Sequence, residues 1–122
     1  MPPLANPNNS MNITVRQKLI LFLISSEPGV RDIYNMIKVF DRADFPAKMT
    51  QNLQPLLDRK LIYVAENLFN GTPKKYEITE EGKNFLADNF NSEELIDHIN
   101  KMDNPEFLLK LTEAYIAKKN GL

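Results

Sequence analysis

Apolar residues recur along this chain at spacings that predict six helices and one short β-hairpin. The first predicted helix begins at a capping box, in which Thr14 and Gln17 stand three residues apart, and it runs to about Ser25. Residues 27–29 (Glu-Pro-Gly) end it. Because this helix is apolar on most sides, we expect it to be buried on more than one face. It should lie at the centre of the core or be sandwiched by a partner chain.

The next two predicted helices are separated by a short loop and form a helix-turn-helix candidate. The apolar stripe of the second helix consists of Ile33, Met36, Ile37 and Phe40. The third helix is expected to start at Asp44 as its N-cap, with Pro46 in the first turn, and to run to about Arg59. Pro55 lies inside it and predicts a kink or an early end near Gln51–Gln54. The apolar stripe of this third helix consists of Met49, Leu53, Leu56 and Leu57.

A β-hairpin is predicted after the third helix. Residues 61–64 form a strand-like apolar run, and residues 75–78 alternate polar and apolar positions as a half-buried strand does. The dipeptide at 70–71 (Asn-Gly) indicates the turn between them, and Pro73 is expected to stop the ladder from continuing into that turn.

Three further helices follow the hairpin. Thr79 is expected to cap the fourth helix, in which Gly82 indicates close packing. Ser92 is expected to cap the fifth helix, and Asn104 to cap the sixth, with Pro105 at its first position. The apolar stripes of the last two helices, which are the dimerisation candidates, consist of Leu95, Ile96, Ile99, Met102, Phe107, Leu108, Leu111 and Tyr115.

Composition narrows the functional classes only slightly. The chain has 122 residues, no cysteine and a net charge of −1, which fits one domain without disulfides or thiolate metal sites. No apolar run approaches the roughly 20 residues of a membrane helix, so we predict a cytoplasmic protein with no membrane partner. Residues 1–83 carry 11 basic and 9 acidic side chains, and residues 84–122 carry 4 and 7. The net charge does not indicate nucleic-acid binding, and this mild asymmetry is only a hint of a more basic first part.

Residues 56–86 resemble the helix 3, wing and helix 4 signature of winged-helix transcriptional regulators of the PadR and MarR kind. The matching positions are Leu57, Asp58-Arg59, Leu61-Ile62, Gly71 with Lys74-Lys75, and the run from Tyr76 to Gly82 (YEITEEG). The last two helices resemble the appended dimerisation region of PadR-type proteins, including the AphA-like group. Lys60 stands where these families usually have Gly, so a left-handed residue there would be strained or replaced by another turn.

The resemblance implies a mainly α fold with a small β-hairpin, namely a winged helix-turn-helix followed by C-terminal dimerisation helices. The three prolines and four asparagines of residues 1–12 predict a disordered tail, and the resemblance implies a winged-helix domain at 13–90 and a helical dimerisation segment at 91–122. Its implied function is a DNA-binding transcriptional regulator that acts as a homodimer on double-stranded DNA. An effector, either a small molecule or a protein, is compatible with this class.

In such a regulator the third helix would lie in the major groove, and the wing would contact phosphates. The candidates for reading base edges are Lys48, Gln51, Asn52 and Gln54, with Thr50 less well placed. The candidates for phosphate contact are Arg59, Lys60, Lys74 and Lys75. Exposed Gln and Lys side chains are more often simply solvated, and a lysine pair in a hairpin more often protects a sheet edge.

One alternative function stays open. The acidic balance, the sparse cations and Pro55 also fit a winged helix that serves only as a protein–protein interaction module. An enzyme is not expected, because the sequence shows no phosphate-cradling glycine loop, no nucleophile elbow and no convincing carboxylate pair. His98 is the single histidine; Glu94 lies one turn before it, but we expect a plain helix surface rather than a metal or catalytic site, and no cofactor.

Overall fold

The computed structural model describes residues 13–44 and 48–121 of the chain. Within these ranges it is mainly helical, with six helices and one two-stranded antiparallel sheet, which confirms the predicted class at this coarse level. The elements are α1 (Val15–Ser25), α2 (Ile33–Arg42), α3 (Met49–Asp58), β1 (Ile62–Asn67), β2 (Pro73–Ile78), α4 (Glu80–Asn89), α5 (Ser92–Asn100) and α6 (Glu106–Lys119). No helix in this part of the chain is long and apolar enough to cross a membrane.

Helix α1 forms the centre of the core. Every residue from Leu19 to Ile24 is at most 2% exposed, because α3, α4, α5 and β2 of the same chain pack around the helix. Its start is the predicted capping box: Gln17 N donates to Thr14 Oγ1 at 3.1 Å, and Thr14 N donates to Gln17 Oε1 at 3.0 Å. The apolar surface of α1 is thus covered within one chain, so a partner chain is not needed to bury it.

Helix α2 buries a slightly different stripe from the predicted one. Met36 and Phe40 are fully buried and Ile33 is half-buried, as expected. Ile37 is 38% exposed, and Val39 is buried in its place. The prediction for Ile37 was wrong: the packing of α2 against β2, α6 and α3 buries Val39 and leaves Ile37 exposed.

Helix α3 begins later than predicted. Its N-cap is Lys48, whereas Asp44 adopts a left-handed φ of 53° in the preceding loop, so Asp44 does not cap it. Pro46 lies outside the described residues. The helix continues through Pro55 to Asp58, so the expected early end was wrong. Gln51, whose carbonyl loses its donor at Pro55, is exposed, and water can therefore solvate that carbonyl.

The hairpin is formed as predicted, with longer strands. Its register pairs Ile62 with Ile78 and extends to Asn67 opposite Pro73, with two irregularities around Glu66. Pro73 therefore takes part in the ladder as the first residue of its strand, a position that proline tolerates. The loop at 68–72 is closed by a hydrogen bond from Leu68 N to Thr72 O at 2.7 Å.

The last two helices differ from prediction in their first residues. Asn91, not Ser92, caps α5, because its Oδ1 accepts from Glu94 N at 3.1 Å. Helix α6 starts at Glu106, with Pro105 at the N-cap position and no side-chain cap. Asn104 instead uses its backbone N–H to bind the Ala43 carbonyl at 3.1 Å, which ties this loop to the end of α2.

Most dimerisation candidates pack into the core of their own chain. The buried ones, all at most 9% exposed, are Leu95, Ile99, Met102, Leu108 and Tyr115. The half-buried ones are Ile96, Phe107 and Leu111. Because α5 packs on α1 and α6 packs on α2, the stripes that the periodicity revealed serve intrachain packing first.

Candidate nucleic-acid interface

The outer face of α3 is the most open polar helix surface among the predicted site residues. Met49, Leu53 and Leu56 point into the core at helical spacing and are at most 4% exposed. The opposite face is exposed and consists of Lys48, Thr50, Gln51, Gln54 and Asp58. Sequence reasoning ranked Thr50 too low: it lies one turn before Gln54 and two turns before Asp58, a spacing that could have identified it.

The four base-reading candidates differ in how much of their hydrogen-bonding capacity is already used. Asn52 is half-buried, and its Nδ2 donates to the Lys48 carbonyl at 3.1 Å. Gln54 Nε2 donates to Asp58 Oδ1 at 2.8 Å. The side chains of Lys48 and Gln51 make no hydrogen bond or ion pair with other described residues. Gln51 and Lys48 are therefore the most available groups on this face.

The end of α3 fixes where the hairpin begins. Lys60 N donates to the Leu57 carbonyl and Leu61 N to the Leu56 carbonyl, both at 2.9 Å, which is the Schellman pattern. The pattern needs a left-handed residue, and Lys60 supplies it with φ of 60°. Of the two predicted outcomes for Lys60, a strained left-handed residue is the one observed. The exposed side chain projects from the joint between α3 and β1.

Thr79 and Gly82, at the start of α4, also stabilise the junction between α3 and β1. Thr79 Oγ1 donates to the Lys60 carbonyl at 2.6 Å and accepts from Gly82 N at 2.9 Å, so one hydroxyl caps α4 and holds the end of α3. A Cβ at Gly82 would overlap the Leu61 carbonyl oxygen and lie 2.6 Å from Ile78 Cγ1. The close packing predicted at Gly82 is confirmed, and it places α4 against the residue that precedes β1 and the last residue of β2.

The hairpin lysines are already paired with carboxylates. Lys74 Nζ lies 3.4 Å from Glu66 Oε2 across the hairpin, and Lys75 Nζ lies 4.0 Å from Glu77 Oε2. Exposed pairs of this kind are weak, about 0–1 kcal/mol, so a phosphate can compete for either lysine. The hairpin nevertheless carries two acidic groups for its two lysines, so its own charge is balanced.

Arg59 is the least accessible phosphate candidate. The residue is half-buried, and its guanidinium carbon lies 5.8 Å from the centre of the Phe85 ring. One terminal nitrogen, NH1, is buried and has no hydrogen-bond partner among the described residues. Arg59 therefore packs against α4 rather than projecting beside Lys60.

The tip of the hairpin is apolar. Phe69 is fully exposed, at 104% of its reference area, and Leu68 is 46% exposed. Sequence reasoning missed both residues, although two large apolar side chains directly before an Asn-Gly turn are a detectable signal. Asn70 shapes the loop, because its Oδ1 accepts from Thr72 N at 3.0 Å.

Titratable groups with shifted pKa values lie beside this surface rather than on it. Burial raises the pKa of the Tyr76 hydroxyl at the base of the hairpin, so it stays neutral at physiological pH. The pKa of His98 on α5 is lowered, mainly by burial and then by Arg16 and Lys101, against the opposing effect of Asp97 and Glu94. In residues 13–44 and 48–121, no three His, Asp or Glu side chains are grouped to hold a metal ion.

Comparison of the chain with protein-family models, curated proteins and solved structures gives no match. The functional argument therefore depends on the geometry of α3 and the hairpin.

Proposed function

We propose that this protein is a winged-helix DNA-binding regulator, with α3 as the recognition helix and the β1–β2 hairpin as the wing. The observation that carries the proposal is the outer face of α3, where Lys48 and Gln51 are exposed and unengaged beside the hairpin. Gln pairs bidentately with adenine and Lys with guanine in the major groove.

The arrangement of α2, α3 and the hairpin supports this geometry. Helices α2 and α3 are consecutive, and α2 packs on both α3 and β2. The backbone before α2 also pairs with the hairpin. Tyr76 N donates to the Arg31 carbonyl at 2.9 Å, and the backbones of Asp32 and Lys75 form an isolated antiparallel β-bridge. These contacts give the recognition helix and the wing a shared, rigid base.

Phosphate contacts would come from exposed cations that flank α3. Lys60 follows the C-terminal end of the helix, and Lys74 and Lys75 follow in the wing, whereas Lys48 is assigned to base reading. The wing lysines would exchange their weak carboxylate pairs for phosphate oxygens on binding. Such contacts position the protein without reading sequence and make the affinity depend on salt.

The test is binding to a random-sequence duplex, followed by fluorescence anisotropy as the salt concentration rises. Three phosphate contacts per protomer predict a slope of about −3 for a monomer, and about −5 for the proposed dimer, in a plot of log affinity against log salt. Changing both wing lysines to glutamate (Lys74→Glu with Lys75→Glu) should weaken binding, whereas Lys110→Glu at an exposed position of α6 should preserve it. Absent or salt-insensitive binding by the folded protein would contradict the proposal.

Homodimer assembly is a separate part of the proposal. The apolar surface left for a second copy consists of the half-buried Ile96, Phe107 and Leu111, with exposed Tyr34 and Ile37 on α2. Sedimentation of the free protein and of its DNA complex measures this directly. A dimer on two half-sites is the expected species, and a monomer in both samples would remove this part.

A protein–protein interaction module is the second candidate. The exposed Phe69 and Leu68 at the hairpin tip favour it, because aromatic side chains on a turn are typical anchors of protein interfaces. A stable protein partner recovered by pull-down, lost on Phe69→Ser and accompanied by no DNA binding, would favour this candidate over the first.

A further inference from the structure

A cavity of about 410 Å³ opens between the C-terminal end of α1, helix α4 and the C-terminal end of α6. Its volume lies within the range of small-molecule sites, about 300–1,000 Å³. It lies apart from the outer face of α3 and from the hairpin lysines, none of which line it.

The walls of the cavity are mainly apolar. Phe22, Leu86 and Tyr115 belong to the hydrophobic core and are at most 9% exposed, Ile78 and Ala87 add further apolar surface, and Ser25 and Ser26 are polar members of the lining. The Tyr115 hydroxyl makes no hydrogen bond with other described residues, so it remains available to a ligand. Such walls suit a flat or aliphatic apolar body with a polar end.

The rim of the cavity is cationic although the chain as a whole carries a charge of −1. Lys83, Lys118 and Lys119 all line it and are exposed. Among the described lining residues Glu27 is the only acidic one, and it is paired with Arg31, whose Nη2 lies 2.6 Å from Glu27 Oε1.

The three lysines differ in what they already contact. Lys118 Nζ donates to the Glu27 carbonyl at 3.1 Å, and Lys119 Nζ lies 5.0 Å from the centre of the Phe90 ring. The Lys83 side chain makes no hydrogen bond or ion pair with other described residues. Lysines in the last turn of a helix interact favourably with the helix dipole, and this stabilising effect accounts for Lys118 and Lys119 without a ligand. Lys83 lies in the first turn of α4, where the dipole disfavours a cation, so that explanation does not extend to it.

We propose that this cavity binds an amphipathic monoanion, that is, a carboxylate with an aromatic or medium-length aliphatic body. The apolar body would lie against Phe22, Leu86 and Tyr115. The carboxylate would sit at the rim between Lys83 and Lys118, where charge-assisted hydrogen bonds are stronger than neutral ones. This inference does not depend on DNA binding, since none of its residues belongs to the proposed interface.

The test uses 2-naphthoate as the probe and 2-naphthamide as its neutral counterpart, with the full chain and amide chemical shifts as the readout. We expect saturable binding of naphthoate, about tenfold tighter than that of the amide, because only the anion engages the lysines. The shifted signals should lie in residues 22–27, 78–87 and 115–119. Equal affinity for the two probes, no saturable binding, or shifts elsewhere would overturn the proposal.

Two variants separate the cationic rim from the apolar walls. Lys83→Gln with Lys118→Gln, both exposed, should reduce the affinity for naphthoate to that for the amide and leave the amide unchanged. The matched control is Lys110→Gln on α6, which is exposed and does not line the cavity. Equal losses in the control and the double variant would contradict a role of the rim.

Ala87→Phe should fill the cavity and abolish binding of both probes, because Ala87 lines the cavity. Since Ala87 is exposed, the larger side chain should not disturb the core. The thermal midpoint of the Ala87→Phe protein shows whether this variant is folded. If it is not folded, the lysine variants still test the proposal. Undiminished binding by folded Ala87→Phe would overturn the proposal. So would binding that appears only with self-association, because a second copy of the chain would then cover the cavity.

Discussion

Helix α3 and the hairpin supply the two halves of the proposed DNA surface, yet their polar groups differ in availability. On α3, Lys48 and Gln51 are exposed and make no polar contact with other described side chains. On the hairpin, Lys74 and Lys75 each have a carboxylate within 4.0 Å, and the tip presents Phe69. The wing must therefore give up existing pairs to bind phosphate, whereas α3 need not.

This difference shows that the same residue type can be free to bind DNA in one region and already paired in another. A lysine in a hairpin looks identical in sequence whether or not Glu66 stands across from it, because the pairing depends on strand register. We therefore expect α3 to contribute more to DNA affinity per residue than the wing. The two regions also share one joint, so changes there should affect both.

The largest effect is expected at that joint. Gly82→Ala should lower the free energy of unfolding by about 3 kcal/mol or more, because its Cβ would overlap backbone at Leu61 that cannot move freely. Gly71→Ala is the matched control: its surroundings are open, and only its φ of 88° opposes the change, at about 1 kcal/mol. Urea unfolding of both variants measures the difference, and equal losses would contradict the packing argument.

The next largest effect concerns DNA. Lys48→Glu combined with Gln51→Glu should weaken duplex binding by more than about tenfold, since two contacts are replaced by repulsion. Lys74→Glu alone should weaken it less, because that lysine already shares its charge with Glu66. Fluorescence anisotropy at one fixed salt concentration measures the DNA affinity of both variants. A larger loss for Lys74→Glu would mean that the wing contributes more to the affinity than α3.

A smaller, stabilising effect is expected at the left-handed residue. Lys60→Gly should raise the free energy of unfolding by about 0.5–1 kcal/mol, because glycine adopts φ of 60° without steric cost. The same change at Lys101, an exposed helix cap with φ of −84°, should lower it instead. Thermal unfolding provides both values, and destabilisation by Lys60→Gly would refute the strain at this position.

A pH effect of modest size is expected from His98. Since burial lowers its pKa in the folded state, the protonated form is disfavoured on folding. Stability should therefore be fully present above the unfolded pKa of about 6.5 and fall as the pH drops through and below that value. The variant His98→Gln should lose less stability than the parent between pH 7.5 and pH 5.5. Parallel pH profiles for the two proteins would contradict the assignment.

The smallest expected effect is a gain, rather than a loss, of DNA affinity at the wing. Glu66→Gln should release Lys74 and strengthen DNA binding by about twofold, in line with the weakness of exposed ion pairs. Glu113→Gln on exposed α6 removes the same charge away from the surface and serves as control. An equal gain in both variants would indicate net charge rather than release of Lys74.

Local chemistry was predictable from the sequence wherever the cause lies within a few residues. The capping box at Thr14, the cap at Thr79 and the tight packing at Gly82 all follow from short patterns and are present in the structure. The apolar periodicity of the last two helices was also correct, since Leu95, Ile99 and Leu108 are buried.

Long-range effects were not predictable in the same way. Periodicity shows that a face is apolar, but it does not show whether that face packs on the same chain or on another. Thus α1 is covered by its own chain, and Tyr115 lines a cavity instead of reaching a free surface. Lys83 of α4 and Lys118 of α6 both line that cavity, although 35 positions separate them in the sequence and no local pattern connects them.

The most direct test of the central claim is a map of the DNA footprint by amide chemical shifts of the full chain with a short duplex. The account predicts that the largest shifts fall on residues 48–54 of α3, with smaller ones at Lys60, Lys74 and Lys75. Shifts confined to the hairpin tip around Phe69, or no shifts at low salt, would contradict the assignment of α3 as the recognition helix.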